Sequence, residues 1–264
     1  CLFAVMFANE RAAEEARRQV LLVAEITANR VVNIIESSLA PTLSLGIVIA
    51  QDPSLAHLDN HFDDISRDLR GKLYPANGTN VIQVAPAGII RYIQPQTEMS
   101  MTAMNLNISD SICTDGKRYP SVYGPDNLSE FTDRNVYALF AQYEIWVPDV
   151  DRNETFGLGK DILLEEPGCY DPSSRSKFWG AVSSIIYMDY VISILHGELA
   201  EGYAFELAMN HSGTRQVLAD SGHLTHNPIT LSITAVNVTL SLSVDKGEGY
   251  DQKWKTPLIA VSVI

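Results

Sequence analysis

Cysteine is scarce in this chain: Cys1, Cys113 and Cys169 are the only three in 264 residues. That excludes a disulfide scaffold, and with no Cys-x-x-Cys spacing there is no structural zinc motif. Positive charge is also short, with 19 Lys and Arg against 32 Asp and Glu and a net charge of −13. So acidic a surface repels phosphate backbones and is disfavoured on anionic lipid, so nucleic acid is not an expected partner. No apolar run reaches the ~20 residues of a membrane-spanning helix. The chain has no Gly-x-Ser-x-Gly elbow and no phosphate loop, and Gly157-Leu158-Gly159 lacks the third glycine of a dinucleotide fingerprint. What is present is core material, 46% hydrophobic residues with 19% charged, the composition of a globular protein.

Other chemical motifs are incomplete. His57 and His61 share a helix face, but Leu58 stands where a zinc protease needs Glu, so the pair reads as a solvated face. His223 and His226 flank a turn and have no evident third ligand. Asp149-Val150-Asp151-Arg152-Asn153 begins like a calcium loop, then places Glu154 at the turn glycine and Lys160 at the bidentate glutamate. Neither metal nor cofactor is expected, and the chain is not expected to be an enzyme. An extracellular hydrolase is the weakest reading, since no motif supplies a nucleophile beside a base.

Both ends are apolar: Leu2 to Ala8 at one, and Leu258 to Ile264 at the other. The expectation is a fragment lying between two transmembrane helices, with 259–264 beginning the second; two short buried elements are the alternative. Six Asn-x-Ser/Thr sequons occur, at Asn77, Asn107, Asn127, Asn153, Asn210 and Asn237, where chance gives about two. The excess predicts glycosylation and an extracellular or lumenal location. In that compartment Cys113 and Cys169 could pair or remain two thiols.

Residues 9 to about 50 predict a long helix, interrupted by Pro41. Leu21, Ala24, Ala28, Val31 and Ile35 form a heptad-like seam, which fits either a homodimer contact or packing on the chain's own sheet. Asp52-Pro53-Ser54 caps a second helix from Leu55 to Leu73. Strands follow: a hairpin at 81–93, aromatic Tyr137 to Val147, and Lys177 to Met188, then a short helix from Asp189 to His196. Later strands begin near Tyr203, and a parity switch at Val236-Asn237 predicts a turn or bulge. The class is α+β, with helices first and mainly antiparallel sheets after.

In that order the chain resembles a CHASE domain, the extracellular sensor of cytokinin-receptor-like histidine kinases and membrane-bound nucleotide cyclases. The resemblance rests on the helix containing Arg30 to Glu36, on Phe62-Asp63-Asp64-Ile65, and above all on the hairpin Asn80 to Pro95. The latter carries the family's Gln83, Ala85-Pro86 and Gly88. Phe178-Trp179-Gly180, the strand Val238 to Val244, Trp254 and Pro257 complete the set, while 96–176 align poorly. The resemblance implies a long N-terminal stalk helix followed by two PAS-like antiparallel-sheet subdomains. The divisions it implies are helices at 1–74, a membrane-distal sensor at 75–196 and a membrane-proximal subdomain at 197–258.

It further implies a ligand-sensing ectodomain of a transmembrane receptor, with a cytosolic kinase or cyclase as output. The expected partners are a small molecule, adenine-like or otherwise, and a second copy through the stalk. The expected ligand contacts are Met104, Asn105, Tyr92, Phe156 and Trp179. Asn105 stands where cytokinin receptors carry Asp; it keeps an acceptor, adds donors and loses the charge, which allows a different ligand. The competing reading is an adhesive or protein-binding ectodomain.

Overall fold

The computed structural model describes residues 2–73, 81–108, 120–128, 137–158, 169–199, 202–211, 214–222, 224 and 227–246. The chain divides into two units, Ile34–Tyr190 and Cys1–Asn33 with Val191–Ile264. The first unit therefore takes in the second and third helices, which the sequence groups with the stalk.

Helix α1 spans Leu2–Ser37 and α2 spans Leu39–Gln51. No Gly or Pro interrupts α1. Its end is set by Pro41, whose ring would meet the carbonyl of Ser37, four residues back. The helix restarts so that Pro41 is the third residue of α2, where a missing N–H has no intrahelical carbonyl to lose. Leu45 and Ile49 of α2 are fully buried. By length and composition alone, the run Glu10–Gln51 could cross a membrane, a possibility the raw sequence scan does not register. Its apolar end is instead committed to the core of the first unit.

Helix α3, Leu55–Leu73, follows the expected cap: the Ser54 hydroxyl accepts from the His57 N–H at 3.4 Å, and Asp52 accepts from the Ser54 N–H at 3.3 Å. Leu58 and Phe62 are buried and Ile65 and Leu69 pack beside them, a single stripe at helical spacing.

The first unit is built on a six-stranded antiparallel sheet. Its strands are β1 (Val81–Pro86), β2 (Tyr92–Gln94), β3 (Ser121–Asn127), β4 (Tyr137–Val147), β5 (Tyr170–Asp171) and β6 (Ser176–Tyr187), in the order β2-β1-β6-β4-β3 with β5 beside β6. Strand β6 is buried at every residue. Strand alternation sorts the side chains onto two faces. Ile82, Val84, Tyr143, Ile145, Val147 and Val182 meet α2 and α3, while Val81, Ala85, Phe140, Ala181, Ile185 and Tyr187 line the opposite face.

A bulge breaks that alternation. Ile145 pairs with Gly180 but Trp146 pairs with Phe178, so Trp179 is the extra residue. Trp179 consequently enters the helix-side core and Phe178 the opposite face. Gly180 is required there, because a Cβ would stand 2.4 Å from the Ala85 carbonyl oxygen.

The first unit also holds α4 (Glu98–Met101), and α5 (Met188–Glu198) begins at the end of that unit and continues into the second unit from Val191. The strands β7 (Tyr203–His211), β8 (Thr214–Asp220), β9 (Ile229–Ala235) and β10 (Val238–Lys246) make a four-stranded sheet in the order β8-β7-β10-β9. The parity switch is a two-residue hairpin turn, Val236-Asn237. Val20, Ala24, Thr27 and Val31 form the buried stripe of α1 in this unit, and Arg30 pairs with Glu198 of α5. Of the expected seam, Ala24, Val31 and Ile35 are buried, Ala28 is half-buried and Leu21 is 37% exposed; Leu22 and Ile26, outside that seam, are exposed at 56% and 53%.

Candidate functional site

The five expected ligand residues do not converge. Trp179 is fully buried among α2 and α3 side chains, and its indole N–H donates to the Pro53 carbonyl at 2.7 Å. Tyr92 lies on the same side. Its ring is 5.3 Å from that of Phe62, and its hydroxyl donates to Asp59 at 2.7 Å. Burial, and then that bond to Asp59, push its ionisation above the ordinary tyrosine range. Phe156 also belongs to this helix-side core. Met104 packs against the opposite face, in the cluster of Val81, Ile90 and Ile185.

Asn105 is exposed. Its backbone has φ 66 and donates to the Ile90 carbonyl at 2.8 Å. Its residue type suits that left-handed turn, which asparagine tolerates better than most residues. Sequence resemblance reads the position as a ligand contact; the backbone supplies a local reason for it.

Lys177 answers the calcium-like loop. Its ammonium donates to the carbonyls of Arg152 at 2.7 Å and Glu154 at 2.6 Å, so a built-in cation sits among the loop oxygens. Glu154 meanwhile accepts from the N–H groups of Thr155 and Phe156. The His57 and His61 rings lie 4.9 Å apart, tilted at 48°, and His57 lies 3.5 Å from Asp52. Among the described residues no group of three or more His, Cys, Asp or Glu could hold a metal.

The face of the sheet turned away from α2 and α3 is chemically different. Register places Ser121, Gln142, Ser183, Gln83 and Ile93 in one row across β3, β4, β6, β1 and β2. Gln83, Gln142 and Ser183 are 3%, 6% and 4% exposed. The next row sets Ala85, Ala181 and Glu144 side by side. Glu144 is buried, and its carboxylate accepts from the Trp146 indole N–H at 3.1 Å.

Around these rows lie apolar groups: Val81, Ile185 and Tyr187 at one end, Phe178, Trp146 and Cys169 at the other. Burial pushes the pKa of the Tyr187 hydroxyl up, holding it in its neutral form. The segment Ile89–Ile108 folds over one edge, held by Ile90 N–H to the Leu106 carbonyl at 3.0 Å and Ile108 N–H to the Gly88 carbonyl at 2.8 Å. Short side chains and buried amide, hydroxyl and carboxylate groups in an apolar surround are the ingredients of a small-molecule site. The sequence carries the clue in alternation: Gln83 sits inside an otherwise apolar strand, as do Gln142 and Glu144.

Cys169 is disulfide-bonded and 1% exposed; Cys113 lies outside the described residues, as does Asn77. Asn107, Asn153, Asn210 and Asn237 are exposed, and Asn127 lies on β3.

No protein-family profile and no curated protein matches the chain. Among solved structures, an extracellular ligand binding receptor from Desulfohalobium retbaense superposes with a TM-score of 0.57 at 12% identity. The match covers 86% of this chain and 40% of that one, so the chain spans well under half of that receptor. The extracellular domain of the histidine kinase rpHK1S-Z16 gives a TM-score of 0.46 at 13% identity, over 90% of this chain and 95% of that one. The α+β arrangement of a leading helix and two antiparallel sheets is thus a fold shared with a solved extracellular receptor.

Proposed function

We propose that the chain is the ligand-sensing ectodomain of a transmembrane signalling receptor of the CHASE type. In this reading it binds a small organic molecule on the polar rows of the six-stranded sheet. The observation that carries the reading is the set of buried Gln83, Gln142, Ser183 and Glu144 on an otherwise apolar face turned away from α2 and α3. A few polar groups set in an apolar surround are what a small-molecule site places to orient its ligand. The shared receptor fold supports it. So do four exposed sequons and a disulfide-bonded Cys169, which suit an oxidising extracellular location.

The chain itself performs no chemistry in this scheme. Ligand entry biases two arrangements of α1, and a cytosolic kinase or cyclase reads the difference. A second copy joins through α1, using the exposed Leu21, Leu22 and Ile26.

Thermal unfolding of the secreted chain against adenine derivatives, other purines, amino acids and organic acids tests the proposal. A ligand at about a hundred times its Kd adds about 2.7 kcal/mol. The expected result is a dose-dependent rise with one chemical class, abolished by Ala181→Leu. A rise that Ala181→Leu leaves intact moves the site elsewhere. No rise with any class favours the adhesive ectodomain.

A further inference from the structure

Gln83 stands out within the polar row. It is 3% exposed, between Ile93 of β2 and Ser183 of β6. Its side chain has one hydrogen bond among the described residues, accepted by Oε1 from the Ser183 hydroxyl at 3.2 Å. That bond fixes the plane of the carboxamide and leaves two N–H donors on Nε2 and one lone pair on Oε1 without a partner. Buried amides are ordinarily satisfied, so an oriented but unfilled one is a specific request for a partner. Neighbouring side chains are short, Ala85 two residues along β1 and Ala181 two along β6.

We propose that Gln83, oriented by Ser183, is the specificity residue of the site and reads an amide-type edge on the ligand. Its Nε2 donates to a carbonyl oxygen while its Oε1 accepts from the adjacent N–H. The ligand class is a small molecule carrying a lactam, carboxamide or cyclic imide. This inference rests on the reading of that sheet face as the ligand site.

The experiment compares the full chain with Gln83→Met and Ser183→Ala, using 2-pyrrolidone, uracil and nicotinamide as probes. Cyclopentanone, which has the carbonyl without the N–H, is the control. Without probe, Gln83→Met melts within about 2 °C of the wild type or above it, because it removes an unfilled buried amide. With probe, the amide-edged compounds raise the wild-type midpoint and bind about tenfold more weakly to Gln83→Met. Ser183→Ala gives an intermediate loss, and cyclopentanone, which can accept from Nε2 but offers no N–H to Oε1, distinguishes the three proteins less than the amide-edged probes do.

A drop of more than about 5 °C in unliganded Gln83→Met overturns the proposal, since Gln83 is then a structural bond. Amide-edged probes that shift nothing, or shift wild type and Gln83→Met equally, also overturn it. Ala181→Leu, or Ala181→Val if Leu prevents folding, separates this failure from that of the site. Shifts by amines or carboxylates that survive Gln83→Met but vanish on filling Ala181 keep the face and remove the role of Gln83. Shifts that survive both remove the face itself.

Discussion

Replacing Trp179 with Phe decides whether this indole serves the core or a ligand. The side chain is fully buried against α2 and α3, and its N–H reaches the Pro53 carbonyl at 2.7 Å. Phe keeps a ring in place but loses that bond, worth about 0.5–1.5 kcal/mol, and strands a carbonyl at the α2–α3 turn. The missing part of the indole leaves a void costing a further 1–2 kcal/mol or so at about 24 cal/mol per Å³. The sum is about 1.5–3.5 kcal/mol, a fall in midpoint of about 3–14 °C for a chain of this size. Urea unfolding followed by far-ultraviolet circular dichroism measures it without relying on tryptophan emission. A loss below about 0.5 kcal/mol, or unchanged stability with weakened ligand binding, refutes the assignment of Trp179 to the core.

Gly180→Ala forces a Cβ to within 2.4 Å of the Ala85 oxygen and 2.9 Å of the Pro86 Cα. Neither atom is on a flexible side chain, so β1 and β6 must separate and about 1–3 kcal/mol or more is lost in denaturant unfolding. Val236 holds φ 56 in the β9–β10 turn although it is β-branched, and it is 42% exposed. Val236→Asn relieves that strain and raises stability by about 0.5–1 kcal/mol, read as a higher urea midpoint. Tyr92 ionises above the ordinary tyrosine range in the folded chain, through burial and its bond to Asp59. The unfolded chain therefore releases its proton first, and the contribution present below about pH 10 is lost as pH rises beyond it. Tyr92→Phe makes the melting midpoint less sensitive to pH above about 10, and an unchanged alkaline slope contradicts the assignment.

Local chemistry was legible from the residues alone. Helix α3 begins and ends where its cap and apolar stripe predict, and the Tyr137–Val147 and Tyr203 strands follow from their patterns. The turn at Val236-Asn237 was equally readable, and so was the first arm of the hairpin expected at 81–93, whose second arm starts at Tyr92 and not at Ile89. Each depends on neighbours within a few residues: a hydroxyl at a cap, a period of two or 3.6, a proline that cannot continue a helix. The acidic surface and the sequons are likewise properties that need no fold to be counted.

Tertiary structure alone decided which side chains share a face. Trp179 and Met104 are both expected as contacts of one ligand. One extra residue at the β4–β6 bulge sends Trp179 into the helix-side core, while Met104 packs on the other side of the sheet. A sequence records alternation along a strand, but not a bulge set by pairing Ile145 with Gly180 and Trp146 with Phe178, nor the register that aligns Gln83 with Ser183 and Ser183 with Gln142. The heptad seam shows the same limit: helical spacing identifies Ala24 and Val31 as an apolar stripe, and only the folded unit determines that they are buried inside the protomer while Leu22 and Ile26 are not. Periodicity is carried by the chain, whereas burial is settled by whichever surface happens to pack against it.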